Sequence, residues 1–502
     1  MTAISDTISR AITAWSQRKS RSRLLWSGVW AGLALVLLTT AVVSHWPVRH
    51  GYFQVDDFVW LHIANWRSVA ASFIGSDGSH VAYRPIFRLS TYIDALLFGR
   101  NPIPWHFENV ALHATNALLL AATVRAFRLP LSLAAAAAIL FALAPLSEES
   151  VNWISGRTSL LCCFFMLLAV WRWAVALRRH HPPYAAAIWM LMAAMTYEAA
   201  IVMPAILVCL IPLACQRLRV GWRYAVTQAV LLGAVLAIFW LLRAAALGTT
   251  SAEVDATSPD LIANFEEHLS ALYDFAWFRA GRAIFLLLAA SVGLAVLAPR
   301  LFPAGLLLLA IALILYLPYV PLAGVGPRFF YMLQAPICVA AVLPALLLPP
   351  RLRGLALLLL LALVLPRFAQ VTRREAAQFA DAGVATAALI AAVHEAITAN
   401  DGNPNVIEGV PELHRGRFMI GGDFFELAIA DSYETTRPPL VTRSVTVLSD
   451  PQTLKGVLSV PTSFWRYDPV ERRLVRIDCR SWLDAQRGKI IDPDVLRTGC
   501  AN

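Results

Sequence analysis

Apolar runs of bilayer length recur along this chain, and they decide most of what it can fold into. They lie at about 24–44, 108–127, 130–145, 158–177, 184–196, 199–215, 224–247, 281–298, 302–322, 328–348 and 352–370. A helix needs roughly 20 apolar residues to cross the hydrocarbon core, so about eleven spans are expected, the fifth of them short. Composition agrees: 58% of the 502 residues are hydrophobic and 15% are charged, where soluble domains hold about a quarter charged residues. The first run is too long for a signal-peptide core, and HWPVRHGY follows it rather than a small-residue cleavage site. It reads as a first span behind a basic cytoplasmic amino terminus, residues 1–23.

The net charge of +10 would suit nucleic acid if the basic residues were gathered on one surface. They are instead dealt out between the runs: Arg125 and Arg128; Arg178 and Arg179; Arg217, Arg219 and Arg223; Arg300; Arg351 and Arg353. The alternate connections carry acids: Asp56, Asp57, Asp77, Glu148, Glu149, Glu253, Asp255, Asp260, Glu266 and Glu267. This is the positive-inside pattern of a multi-pass membrane protein, and no nucleic-acid partner is expected. The fold class expected is mainly α, with residues 24–370 as the membrane unit and 45–107 as a long first outside loop. An odd number of spans puts residues 371–502 outside. There a charged, Ala-rich linker helix at 372–399 leads into short alternating runs, LVTRSVTV and RLVRIDC, which read as a small α/β domain. Cys479 and Cys500 are the two cysteines of that segment. A disulfide between them would fit an oxidising compartment such as the bacterial periplasm, outside the inner membrane. No Walker loop or Gly-rich dinucleotide fingerprint is present, which argues against a nucleotide-driven pump.

Chemistry concentrates in the outside loops. Asp56 and Asp57 stand together in YFQVDDFVWL. Such a pair can accept a proton from a hydroxyl, hold a divalent cation such as magnesium or manganese, or simply cap the next helix. Around it, FVWLHIANWRSVAASF and RPIFRLSTYIDALLFG read as helices lying at the membrane interface. A second acid pair, Glu148 and Glu149, lies in APLSEESVNWISGRTSLL, followed by Arg157. Arg328 in VGPRFFYM either snorkels to headgroups or binds a lipid phosphate through its fork. Glu198 in MTYEAAIVMP is a further polar point between apolar runs.

Taken in order, DD, YRP, NP with WHFENVALHA, FALAPLSEESVNWISGRTSLL, YE and LPYVPLAGVGPRFFYM resemble the membrane part of the transmembrane and tetratricopeptide-repeat O-mannosyltransferases. More widely the chain is similar to the C-type membrane glycosyltransferases (GT-C), including protein O-mannosyltransferases and aminoarabinose transferases. The resemblance runs from about residue 50 to 335. It departs from the family in three ways. No tetratricopeptide period follows the membrane part, Ala144 stands where histidine is usual, and Tyr197 where lysine is usual.

The resemblance implies an inverting enzyme that moves a sugar from a polyprenyl-phosphate-linked donor to a glycan, lipid or protein acceptor on the outer face. Asp56 would then be the base and Asp57 its helper. Arg84, Arg157 and Arg328 would meet the donor phosphate, and Glu148, Glu149 and Glu198 would position the acceptor or a metal. His106, Asn109, His113 and Tyr331 would line a lipid groove. The competing readings are a lipid or solute transporter with a charged path, and a non-catalytic envelope adaptor of the same fold. No cofactor is required beyond the optional cation.

Overall fold

The computed structural model describes residues 27–75, 83–247, 261–274, 281–322, 326–398, 405–410, 413–414, 417–420, 440–442 and 462–486. The basic terminus 1–23, Asp77, Glu253, Asp255, Asp260 and Cys500 lie outside these.

Where it is described, each of the eleven apolar runs is mostly helical. In chain order the helices are α1 (Ser27–Ser44), α2 (Asp57–His62), α3 (Trp66–Ser72), α4 (Pro85–Phe98), α5 (Pro102–Ala126) and α6 (Leu131–Leu143). There follow α7 (Glu148–Asn152), α8 (Arg157–Arg179), α9 (Tyr184–Ala194), α10 (Met203–Leu218), α11 (Trp222–Leu247) and α12 (Leu261–Asp274). The rest are α13 (Arg282–Leu297), α14 (Phe302–Tyr316), α15 (Gln334–Val342), α16 (Pro350–Thr398) and α17 (Cys479–Gln486). Six helical segments among the described residues are long and apolar enough to cross a membrane, seven if α6 and the bent continuation through α7 count as one. Three further apolar helices are shorter. The chain is therefore mainly helical and multi-pass, while the count of spans by length and apolarity is smaller than the runs alone indicate. α5 shows why. It is 25 residues long, but it carries His106, Glu108, Asn109, His113 and Asn116, of which Asn109, His113 and Asn116 bond to groups inside the bundle.

Local signals set the helix ends. Asn101 accepts a hydrogen bond from the Ile103 N–H at 3.2 Å, and Pro102 takes the first position of α5, where its missing N–H costs nothing. α8 and α10 each end on a left-handed residue, His180 and Arg219. Ala-rich α6 lets neighbouring backbones come close, and it packs against α5, α15 and α16.

α16 runs unbroken through residue 370, where a boundary between membrane unit and outside domain was expected. Its 49 residues make a rod of about 73 Å at 1.5 Å per residue, more than twice a hydrocarbon core of about 30 Å. The surplus carries the carboxy-terminal segment. There β1 (Asn405–Glu408), β4 (Leu440–Thr442), β5 (Ser463–Asp468) and β6 (Arg473–Ile477) form a sheet in the order β4-β1-β5-β6. β1 runs parallel to β4 and β5, and β6 antiparallel to β5. β2 (Leu413–His414) and β3 (Arg417–Phe418) form a separate antiparallel pair. Cys479 is disulfide-bonded.

The long loop after α1, the carboxy-terminal half of α16 and this segment share one apolar core. Phe53, Phe58 and Trp105 pack there with Leu389, Val393, Ile407, Met419 and Ile420. Gly383 permits the contact: a Cβ on it would lie 2.4 Å from the Tyr52 backbone nitrogen, closer than any side chain tolerates.

Candidate active site

The two acids that open α2 do different work. Asp57 is buried, and both its oxygens accept hydrogen bonds. The Gln54 N–H donates to Oδ2 at 2.9 Å and the Ser155 N–H to Oδ1 at 2.9 Å, with the Ser155 hydroxyl on Oδ1 as well. The Trp60 indole donates to Ser155 Oγ at 3.0 Å, and the Trp153 indole to the Gln54 carbonyl at 3.3 Å. Asp57 thus latches the turn before α2 to the turn before α8.

Burial pushes its carboxyl from 3.8 up to about 7, against the pull of its Ser155 and Gln54 hydrogen bonds. Between those values the folded chain holds a proton that the unfolded chain has released. The group's contribution to stability is therefore complete below pH 3.8 and lost as pH rises through about 7. A thermal-shift scan from about pH 5 to pH 8 should show wild type losing more Tm than Asp57→Asn, which cannot titrate; parallel curves would contradict the burial argument.

Asp56 occupies the N-cap position of α2, yet its side chain makes no capping hydrogen bond. It is half-buried, and its charge acts on the Arg328 guanidinium. The residue before it, Val55, is held at φ +43°. For a β-branched side chain that backbone costs about 1–3 kcal/mol, and such strain persists only where the surroundings enforce it. Here the Val55 N–H donates to the Met419 carbonyl of the carboxy-terminal segment, at 3.4 Å. Both acids thus stand at the start of α2, with no side-chain cap hydrogen bond from Asp56.

Glu148 and Glu149 also part company. Glu149 pairs with Arg328: its Oε2 accepts the Arg328 backbone N–H at 3.1 Å, and the guanidinium Nη1 meets its Oε1. The guanidinium lies 5.3 Å from the Trp153 ring centre and 4.8 Å from that of Phe329, leaving the Arg328 side chain 29% exposed. Glu148 points the other way and receives Arg417 Nη2 of β3 at 2.9 Å. Arg417 also pairs with Glu375 of α16 and lies over Phe379 at 4.6 Å.

A second group of cations adjoins the first. Arg84 Nε donates to Glu198 Oε2 at 3.0 Å and the guanidinium stacks 5.0 Å from the Tyr197 ring centre. Arg243, unmarked by the sequence reading, approaches Glu198 Oε1 at 3.7 Å. It is 2% exposed, and its Nε and Nη2 have no hydrogen-bond partner among the described residues. A lone arginine within the apolar run 224–247 was the available signal. The Tyr197 ring lies 6.1 Å from that of Tyr319, which stacks at 4.9 Å on Phe329. One aromatic path thus joins Arg84, Glu198 and Arg243 to Arg328, Glu149 and Asp56.

The remaining expected residues are structural. Arg157 is buried and committed: Nη1 pairs with Asp94, Nε donates to Asn109 Oδ1 at 2.8 Å and Nη2 to the Trp105 carbonyl at 3.1 Å. Each of its three nitrogens already faces a protein acceptor and the side chain is buried, so Arg157 holds α4, α5 and α8 together. The groove expected at His106, Asn109, His113 and Tyr331 is corrected too. Asn109 donates to the Trp153 carbonyl at 2.9 Å. His113 Nε2 faces the Ala142 carbonyl at 3.1 Å, which can only accept, so Nε2 carries the proton and Nδ1 accepts from the Tyr331 hydroxyl at 2.9 Å. His106 packs against Gly51, where a Cβ would come within 2.6 Å of Nε2. All four are buried in the bundle interior.

The expected carboxylates other than Asp56 are already engaged. Asp57 is taken by N–H and O–H donors, and Glu148, Glu149 and Glu198 by arginines. Among the described residues no group of three or more His, Cys, Asp or Glu converges.

No family model matches the chain. It is 33% identical over 154 residues to "Protein O-mannosyl-transferase TMTC1" of Mus musculus, a match covering 28% of this chain and 16% of that protein. It is also 33% identical over 122 residues to "Protein O-mannosyl-transferase TMTC4" of Homo sapiens, covering 21% of this chain and 16% of that one. The matches thus take in under a fifth of the length of these curated relatives. Among solved structures, the archaeal oligosaccharyltransferase AglB from Archaeoglobus fulgidus, in complex with an inhibitory peptide and a dolichol-phosphate, aligns at a TM-score of 0.48 with 12% identity. That alignment covers 81% of this chain and 64% of the archaeal one. The resemblance carried by the motifs is thus met by protein O-mannosyl-transferases as relatives.

Proposed function

We propose that the chain is an inverting glycosyltransferase that takes a sugar from a polyprenyl-phosphate-linked donor and passes it to an acceptor hydroxyl at the outer face of a membrane. In this reading the eleven runs are spans, the amino terminus is cytoplasmic and the membrane is a bacterial inner membrane. The observation that carries the reading is Asp56: a half-buried carboxylate on a strained turn, not used as a cap, within electrostatic reach of Arg328.

The acceptor O–H gives its proton to Asp56 as its oxygen bonds to the anomeric carbon. The bond from that carbon to the phosphate oxygen breaks, and its electron pair leaves with the polyprenyl phosphate. Arg328, Arg84 and Arg243 meet the charge that develops there. These guanidiniums sit among Glu149, Glu198 and Asp56. Once Asp56 has taken the acceptor's proton its negative charge is gone, and the cations answer the leaving group, since fixed cations act most strongly where charge appears in the transition state. Asp57 and Arg157 keep this geometry without touching substrate.

Transfer assayed in proteoliposomes tests the cation assignment. Arg328→Gln is expected to lower kcat/KM for the donor about a hundredfold or more, while the Arg84–Glu198 pair keeps the fold. An unchanged kcat/KM would remove Arg328 from the phosphate site.

A further inference from the structure

An apolar cavity lies away from Asp56 and Arg328. Between α5, α8, α10, α14 and α15 there is a cavity of about 210 Å³. Phe127, Leu210, Leu307 and Leu343 line its wall, and Arg217 and Arg300 stand at one end. From Met203 to Arg217 along α10 the lining covers about 21 Å, most of a hydrocarbon core of about 30 Å.

The end marked by the arginines is shared by the last turn of α5, the last turn of α10, the start of α14 and the chain after α15. Each of these leads into a connection that the arginine alternation assigns to the cytoplasm. Arg300 is exposed; Arg217 is half-buried, and its Nε has no hydrogen-bond partner among the described residues.

We infer that this cavity takes one chain of an anionic phospholipid from the inner leaflet, with the phosphate held by Arg217 and Arg300. An apolar slot opening among bilayer-facing helices is filled by hydrocarbon in preference to water. Basic pockets between membrane helices on the cytoplasmic side suit anionic headgroups, and a guanidinium fork suits phosphate. The sugar carrier's phosphate is required at the opposite end, beside Arg328, so it leaves the two inner arginines unanswered. The inference stands whichever reaction the outer site runs.

The full chain, reconstituted in nanodiscs of phosphatidylcholine with an equal share of phosphatidylglycerol and then released, can be weighed with its retained lipid by native mass spectrometry. Phosphatidylglycerol is expected to be retained over phosphatidylcholine by about tenfold or more. The double variant Arg217→Gln with Arg300→Gln should lose that preference. Ala304→Trp, which fills the cavity without touching charge, should lose the lipid itself. Arg351→Gln with Arg353→Gln, on the same face but outside the cavity, should keep both. Equal retention of the two lipids by wild type, or an unchanged preference in the double variant, would overturn the inference. So would displacement of phosphatidylglycerol by added polyprenyl phosphate, which would make the cavity the carrier's own channel.

Discussion

Asp56→Asn should lower sugar transfer by about a hundredfold to ten-thousandfold, the range that a positioned base supplies, while Tm stays where it is. The side chain makes no capping hydrogen bond, so an isosteric amide removes the proton acceptor and the charge beside Arg328 without undoing a helix cap. Asp57→Asn should do the reverse first. Its two oxygens accept N–H donors from opposite sides, Gln54 on one and Ser155 on the other. An amide must turn its NH₂ toward one of them, and an unmatched buried donor costs about 1–3 kcal/mol. Tm should fall for Asp57→Asn before activity is considered. Equal loss of Tm in the two variants would contradict the division of labour between the adjacent acids.

Removal of the Arg417 side chain should have the largest effect on stability. Arg417 is buried between Glu148 and Glu375, and breaking a buried ion pair by deleting one partner costs about 3–5 kcal/mol because the other charge is stranded. Arg417→Ala should therefore lower Tm sharply. Adding Glu148→Gln and Glu375→Gln should recover part of the loss, since contacting residues do not add independently. Transfer should fall with Arg417→Ala as well. Glu148 is the neighbour of Glu149, which holds Arg328, and Met419 close by supports the strained turn at Val55. The carboxy-terminal segment thus reaches both acid-bearing loops. An unchanged Tm for Arg417→Ala would show that this contact does not hold the segment down.

The membrane character of the chain was legible because it depends on local quantities: run length, and arginines alternating with acids from one connection to the next. The motif loops were legible for the same reason, and the structure pairs Glu149 with Arg328 and Glu198 with Arg84. Partner choice was not legible. Arg157 looked available for a phosphate until Asp94, 63 positions away, took its guanidinium. Nothing in the string EE says that Glu148 faces Arg417 while Glu149 faces Arg328; that split follows from helical rotation at the bend between α6 and α7. His113 and Tyr331 lie 218 positions apart, and only packing reveals that they satisfy each other rather than a lipid. Arg243 carried its own sign, a charge in an apolar run, and needed only to be weighed.

The central claim is that this chain moves a sugar off a polyprenyl phosphate. It is tested most directly by purified wild type and Asp56→Asn in proteoliposomes with a panel of radiolabelled polyprenyl-phosphate sugars and envelope acceptors. Wild type should pass label from at least one donor to acceptor and leave free polyprenyl phosphate, and Asp56→Asn should not. Label that stays on the carrier throughout the panel, or passes equally well in both proteins, would contradict the account.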